Sequence, residues 1–382
     1  MTRRASAAVA LVAAACAGCA VAGTPTAAGP AASGGPTAAA PPAAGAPTAQ
    51  SFTVVASGDV LIHPALTEQA AEDGGGTRDF GPLFAGVKSA VEGADLAICH
   101  LEVPLTSRGP YQGYPRFDAP AEVATALAGV GYDTCSTASN HTLDQGAEGV
   151  AATLDVLDRV GIEHTGSART AAEAATPLVR EVAGVRVGQV SFTFALNGGT
   201  SLPSGSPWMA NNKLTPQTVI AAARAAREAG AEVVVASIHW GNEGQPAPTA
   251  EQVRIARALL ADPAIDLIVG HHAHVVQPFE QVGGKWVAYG LGNHVAKHEE
   301  PKGPTEEGVI ARFRFTRGPG GWTVDKAEYL PTLVDLGPPI RLFDLTAPTG
   351  GDPARRTTAL DRTDEVVLSR GAADHGLTRP GG

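Results

Sequence analysis

The sequence predicts an α/β or α+β domain built on a large central sheet. Three observations carry that reading. From Ser51 onward, short apolar runs alternate with amphipathic ones. Several of the runs are apolar without interruption, as strands covered on both faces are. The amphipathic segments carry helix start and stop signals at their ends. Elements of the two kinds in alternation pack as helices layered on a sheet.

Strands are expected at 51–57, 94–99, 132–137, 185–194, 231–238, 265–270 and 285–291. Two more, "GVIARFRF" and "WTVDKAEYL", lie within 309–330. Helices are expected at 119–129, 147–160, 216–229 and 249–261. In the third of these, Val219, Ala222, Ala223 and Ala226 form an apolar stripe, while Arg224, Arg227 and Glu228 face outward. Thr215 and Pro216 supply its cap and first turn, and Gly230 ends it. Cys99 and Cys135 fall inside apolar runs and read as small core residues. Beyond about Pro338 the chain turns polar and irregular, so 336–382 reads as a weakly ordered tail.

Composition sets the outer bounds. The chain has 382 residues, 44% hydrophobic and 17% charged, enough for one large domain or two smaller ones with a real core. A net charge of −10 speaks against a nucleic-acid surface, which needs a basic face. Four cysteines are too few for a disulfide scaffold. Residues 1–22 read as an export signal: Arg3 and Arg4 precede the apolar stretch Ala5 to Ala15, and small residues surround Cys16 and Cys19. Either cysteine is a candidate lipid acceptor, and Cys16, after "VAAA", fits that pattern better; a signal cleaved nearby without lipidation, or a retained anchor, is the alternative. Residues 23–50, nearly all Ala, Gly, Pro and Thr, lack the large apolar side chains that would offset the entropy of ordering and read as a tether. The expectation is an exported domain, 51–335, held at the cell surface.

The polar residues fall in a pattern. The run 51–57 leads into Asp59 and His63, and 94–99 into His100 and Glu102. The run 132–137 leads into Asn140, His141 and Asp144, and 231–238 into His239 and Glu243. The run 265–270 ends in "HHAH", giving His271, His272 and His274, and 285–291 leads to Asn293. Taken singly, each has an ordinary structural reading: "SNH" is a good turn, and a histidine after a buried strand can be a satisfied core residue. Six apolar runs delivering such groups at their C-terminal ends point instead to one shared site, because that edge of an α/β sheet is where ligands bind.

His, Asp, Glu and Asn together suit Zn²⁺, Mn²⁺ or Fe rather than Ca²⁺. The spacing His272-x-His274 puts two imidazoles on one side of an extended segment, within reach of one metal or a close pair. Glu102 is the leading candidate for a carboxylate bridging two ions, with Asp59 the other. Gly58, Gly270, Gly290 and Gly292 flank the motifs and let backbone approach the site. No G-x-S-x-G elbow or P-loop competes.

"GDVLIH", "HLEVPLT", "STASNHTLDQG", "IHWGNE", "GHHAHVVQ" and "YGLGNH", in this order from about Phe52 to about Leu330, resemble the CapA-type proteins of poly-γ-glutamate capsule biosynthesis. The resemblance implies a layered sandwich of central mixed β-sheets flanked by helices, similar to the calcineurin-like metallophosphoesterases. It implies a divalent metal site, of one ion or two, with Asp59, His63, Glu102, Asn140, His239, His272 and His274 as ligands and His271 as an alternative to His272. It implies that His141 faces the substrate as a catalytic group, with Asp144 in the same motif. His100 stands where that family usually has asparagine, and His294 where it commonly has phenylalanine. A substrate-facing set of His100, Arg108, Arg116, Glu243 and Asn293 is expected, with the two arginines on the loop 106–118, which reads equally as a carboxylate-binding lip or as a solvated surface loop. The implied partner is an anionic polymer, poly-γ-glutamate or a related wall component, with a membrane export complex as a further partner. The implied role is a surface enzyme of metal-dependent hydrolase type. The alternatives are a non-catalytic polymer-binding or export module, and a metal-dependent phosphoesterase of other role.

Overall fold

Strand β1 (Ser51–Val60) shows how the continuous apolar runs fold. Phe52, Val54 and Ala56 point into one apolar cluster and Val55 into another. A strand buried on both faces has no solvent side on which polar residues could alternate, which is why the run reads as unbroken. A computed structural model of the protein describes residues 50–300, 302–348 and 350–380. The export signal with Cys16 and Cys19, and the tether, lie outside the described residues.

The strands after β1 are β2 (Leu96–Leu101), β3 (Leu105–Thr106), β4 (Ala119–Pro120), β5 (Thr134–Ser136) and β6 (Glu163–Thr165). Then come β7 (Leu178–Val182), β8 (Val185–Thr193), β9 (Val233–His239), β10 (Leu267–His271), β11 (Phe279–Val282), β12 (Lys285–Ala288) and β13 (Asn293–Val295). The last are β14 (Glu307–Gly318), β15 (Gly321–Asp335), β16 (Arg341–Asp344) and β17 (Leu377–Thr378). They form two mixed sheets. The first runs β16-β15-β14-β1-β2-β5-β6, with β13 beside β1 and β17 beside β15; the second runs β11-β12-β10-β9-β8-β7. β3 and β4 pair only with each other.

The two sheets face each other across an apolar core. Phe52, Val54, Leu96 and Ile98 of the first meet Val233, Val235, Leu267 and Val269 of the second. Helices Glu122–Val130 and Gly146–Val160 cover the outer face of the first sheet, burying Val123, Leu127, Leu154 and Leu157. Helices Pro216–Glu228 and Ala250–Leu260 cover the outer face of the second. The result is four layers, helix, sheet, sheet and helix. Thr215 and Thr249 cap the last two helices, each accepting from the backbone N–H three residues on. All four expected helices form, and the expected strands form within a few residues of their bounds.

β1, β2, β5 and β6 run parallel in the first sheet, and β8, β9, β10 and β12 in the second. Their carboxyl ends therefore share a rim, as the pattern of polar residues requires. Close backbone contact holds that rim together. A Cβ on Gly270 would lie 1.9 Å from the Tyr289 carbonyl oxygen, and one on Gly58 would lie 2.1 Å from that of Gly292.

Two expectations are corrected. Cys99 and Cys135, read as small core residues, are buried in the core but are also joined in a disulfide between β2 and β5, where they stand directly opposite each other. The segment 336–382, read as weakly ordered, carries β16, the helix Pro353–Leu368 and β17. The helix looks polar because only the narrow stripe Ala359, Thr363 and Val367, four residues apart, is buried. Its start signal was present: Asp352 caps it by accepting from Arg355 N–H at 2.8 Å, and Pro353 follows. Val367, Ala372 and Leu377 complete the core between the sheets.

Three outcomes follow from this packing. Leu267→Ala is expected to lower stability by about 2–5 kcal/mol in urea unfolding, because Leu267 is fully buried between the sheets. Gly270→Ala is expected to cost about 3 kcal/mol by forcing β10 away from Tyr289. Truncation before Pro353 is expected to lower the urea midpoint; an unchanged midpoint would show that the terminal helix and β17 are not part of the folding unit.

Candidate metal centre

At the rim, β1 delivers Asp59, β2 His100 and, one residue beyond it, Glu102, β9 His239, and β10 His271 with the turn that follows it. Asp59, Glu102, His100, His239 and His271 are all at most 2% exposed. Two groups of ligand atoms each lie within 4.8 Å of one another: Asp59, His100 and His239, and Glu102, His272 and His274. Glu102 links them, with its Oε1 3.7 Å from His239 Nε2 and 3.6 Å from His274 Nε2. Asp59 also spans the site: Oδ1 lies 3.2 Å from His271 Nδ1, and Oδ2 lies 3.3 Å from His274 Nδ1 and accepts the His272 N–H at 3.0 Å.

A chain of contacts runs through the first group. Ser136 Oγ meets His100 Nδ1 at 2.7 Å, and His100 Nε2 meets His239 Nδ1 at 3.0 Å. His239 Nε2 then meets Asn140 Oδ1 at 2.8 Å. In the second group His274 Nδ1 meets Asn293 Oδ1 at 2.9 Å, and Asn293 Nδ2 donates to the Thr305 carbonyl at 2.8 Å.

The donor set fits a divalent cation, and the unpaired atoms make the stronger case. Asp59 Oδ1, both oxygens of Glu102, both ring nitrogens of His271 and Nδ1 of His272 are buried without a hydrogen-bond partner. Buried carboxylate oxygens left bare cost several kcal/mol. Zn²⁺, Mn²⁺ or Fe is the charge that this mixture of imidazole and carboxylate would satisfy.

Electrostatics agree with that reading. Burial, with the neighbouring rings, holds His100 and His239 neutral well below the usual histidine range. Burial and His274 bring His272 down to about 4. Neutral imidazole is the ligating form. Burial would raise Asp59, but its contacts with His271 and His274 outweigh burial and keep it ionised. Burial pushes Glu102 well above the usual carboxylate range. Burial opposes charge on His274, yet Glu102 and Asp59 beside it push its pKa up to about 10. Without metal, His274 is therefore the cation of the site.

A third constellation adjoins these. His141 Nδ1 lies 2.5 Å from Asp144 Oδ2, which also accepts the Phe117 N–H at 2.8 Å. The Phe117 ring packs edge-on to His141 and to His63.

The structure thus gathers Asp59, Glu102, Asn140, His239, His272 and His274, with His141 and Asp144 alongside. His100 and Asn293, expected to face substrate, are instead buried among these residues. His271, expected as an alternative ligand, sets Nδ1 3.2 Å from Asp59 Oδ1, has both ring nitrogens buried without a hydrogen-bond partner, and stacks on His100 at 4.0 Å. His63 stands apart, its Nδ1 contacting Leu61 O and Lys297 N and its ring lying against His298. Arg108 and Arg116 lie on the exposed surface, with no ion pair among the described residues. The loop 106–118 reaches the site through Phe117. Glu243 is exposed at the mouth. His294 is buried in the outer core against Phe84 and bonds Tyr132, away from the cluster.

One geometric expectation fails. His272 and His274 are not on an extended segment; both take left-handed backbone, with φ of 86° and 55°. Non-glycine residues in that region cost energy and cluster at functional sites. The turn still leaves the two rings near each other, with centroids 5.9 Å apart.

Asn197 was missed. It follows the end of β8 and reaches Asn140, His141 and Asp144. The rule that found the others, a polar group just past an apolar run, applies equally to 185–194. Phe194, in the same loop, is 45% exposed and covers His272 with ring centroids 4.7 Å apart.

The chain is similar to several known proteins. The family described as bacterial capsule synthesis protein PGA_cap matches residues 53–298. Capsule biosynthesis protein CapA of Bacillus anthracis is 28% identical over 254 residues, 64% of this chain and 60% of that protein. PGA biosynthesis protein CapA of Bacillus subtilis is 26% identical over 234 residues, 60% of this chain and 58% of that protein. The chain therefore matches less than two thirds of the length of these relatives. Among solved structures, the calcineurin-like phosphoesterase YfkN of Bacillus subtilis is similar at TM-score 0.44 and 12% identity, covering 84% of this chain and 98% of its own. Because the family match takes in every cluster residue from Asp59 to Asn293 and more than half of the chain, the protein belongs to the PGA_cap family of bacterial capsule synthesis proteins.

Proposed function

We propose that this chain is a metal-dependent, hydrolase-type enzyme of the cell surface that acts on poly-γ-glutamate or a related anionic wall polymer. The observation that carries the reading is the pair of buried carboxylates, Asp59 and Glu102, with bare oxygens ringed by imidazoles at the rim of two parallel β arrays. The capsule-synthesis relatives supply the polymer class. The export-signal pattern expected at 1–22 from the sequence and the Cys99–Cys135 disulfide, a bond that persists in oxidising compartments, support the surface location.

Asp59, His100 and His239 would hold one ion, and Glu102, His272 and His274 a second, with Asn140 Oδ1 beside His239. Bound metal would polarise a carbonyl or phosphoryl oxygen and lower the pKa of a water. The chain supplies the rest. Asp144 fixes the His141 ring through Nδ1, which leaves Nε2 to carry a proton. In hydrolysis of a γ-glutamyl amide, water oxygen bonds to the carbonyl carbon and the C–N bond breaks. His141 Nε2 takes the proton that the attacking water gives up and passes it to the departing nitrogen, so that a carboxylic acid and an amine result and ionise to carboxylate and ammonium. Phe117 and Phe194 wall the site on two sides and limit bulk water near the charged groups.

Protein purified without chelators should contain Mn, Zn or Fe by elemental analysis, and Asp59→Asn or His274→Ala should weaken metal binding at least about tenfold. Absence of metal, with no thermal shift on adding Mn²⁺ or Zn²⁺, would overturn the reading. Activity on a γ-glutamyl polymer but not on an aryl phosphodiester is the expected substrate result.

Apparent metal affinity should rise with pH. His274 is protonated in the metal-free protein up to about pH 10 and must lose that proton to ligate. The expected slope, measured by competition with a chelating dye, is at least about tenfold per pH unit across the neutral range, because Glu102, which burial also holds protonated, adds a second proton to release. A flat profile would show that neither His274 nor Glu102 gives up a proton to the metal.

A further inference from the structure

Asn197 lies in the loop between β8 and the helix Pro216–Glu228, outside every motif that brought the site together. Its side chain nevertheless stands between two of them. Asn197 Oδ1 accepts from Asn140 Nδ2 at 2.9 Å, and Asn197 Nδ2 donates to Asp144 Oδ1 at 3.1 Å. Its backbone N–H donates to the Asn140 carbonyl at 3.0 Å, so the loop is pinned to the same residue twice.

The order of these bonds settles which way each amide points. An ionised carboxylate only accepts hydrogen bonds, so Asp144 Oδ1 requires the nitrogen end of Asn197. That turns Asn197 Oδ1 toward Asn140, and an oxygen there requires the nitrogen end of Asn140. Asn140 Oδ1 is thereby directed to the other side, 2.8 Å from His239 Nε2. Only that oxygen end can ligate a cation. His141 Nδ1 donates to Asp144 Oδ2 at 2.5 Å; the Asn197 nitrogen lies 2.8 Å from the same Nδ1, a close contact between two donors that is not a bond in this arrangement. Asp144 thus takes hydrogens from His141, Phe117 and Asn197, leaving its carboxylate fixed in place.

We infer that Asn197 is a positioning residue that sets the metal-facing orientation of the Asn140 carboxamide and, through Asp144, the orientation of His141. The inference rests on the metal-dependent reading above. It assigns to the β8 loop the task of aligning the cation site with the proton-carrying histidine.

Two variants separate the two halves of that role. Asn197→Leu keeps the side-chain size and removes both bonds; it is expected to weaken Mn²⁺ binding about tenfold in chelator competition, as loss of a partner behind a ligand does. It should also lower kcat on the γ-glutamyl polymer more than it raises KM. Asn197→Asp keeps an acceptor for Asn140 but sets a carboxylate against Asp144. Mn²⁺ affinity should then stay within about threefold of the parent while kcat falls at least about tenfold. Both variants keep the main-chain bond to Asn140, and an unchanged thermal midpoint confirms their fold. If Asn197→Leu binds Mn²⁺ as the parent does, or Asn197→Asp keeps parental kcat, the inference is wrong. Should Asn197→Leu not fold, the split in Asn197→Asp decides alone. A parent that binds Mn²⁺ but hydrolyses nothing refutes the hydrolase reading and leaves Mn²⁺ binding by Asn197→Leu to judge the positioning of Asn140.

Discussion

The structure is organised around two buried carboxylates that no lysine or arginine neutralises. Asp59 and Glu102 are both at most 1% exposed, and no lysine or arginine reaches either among the described residues. Taking an ionised carboxylate out of water costs several kcal/mol unless something positive or strongly polar replaces the water. Five imidazoles surround the pair, and burial holds three of them, His100, His239 and His272, in the neutral form. Neutral rings cannot cancel two negative charges. They can, however, share with the carboxylates the ligation of a cation. The metal-free site compromises by charging His274 and by keeping Glu102 protonated far into the pH range.

The layered fold exists to make such a place. Each central strand is apolar on both faces because one face meets the opposite sheet and the other meets a helix layer. Polar groups are then admitted only where the strand ends. Parallel pairing puts those ends on one rim, and close glycine contacts at Gly58 and Gly270 draw β1 and β10 against the segment 289–292. The disulfide belongs to the same construction. Cys99 and Cys135 immediately precede His100 and Ser136, which hydrogen-bond each other, so the bridge ties together the two strands that carry one edge of the cluster.

Much of this was legible in the sequence, for a physical reason. Doubly buried strands produce unbroken apolar runs, and a His, Asp or Glu at the end of such a run stands out. Asp59, Glu102, Asn140, His239, His272 and His274 were found that way. What failed was inference about direction. His100 and His271 sit one after an apolar residue and inside a motif, and nothing in their spacing says that both rings turn inward. The left-handed backbone at His272 and His274 defeats any argument from strand alternation. His63 follows the β1 motif, but its ring turns to Phe117 and His298. The C-terminal helix escaped because a buried stripe one residue wide leaves little periodicity to see. Arg108 and Arg116 were chosen for charge, whereas their loop contributes a phenylalanine.

The central claim is that two cations neutralise this rim. Crystals grown with Mn²⁺ and measured at its absorption edge test it most directly. The account predicts anomalous peaks within ligand distance of Asp59, His100 and His239, and of Glu102, His272 and His274. A crystal in which Mn²⁺ scatters elsewhere or nowhere, with Asp59 and Glu102 bonded only to protein or water, would contradict it.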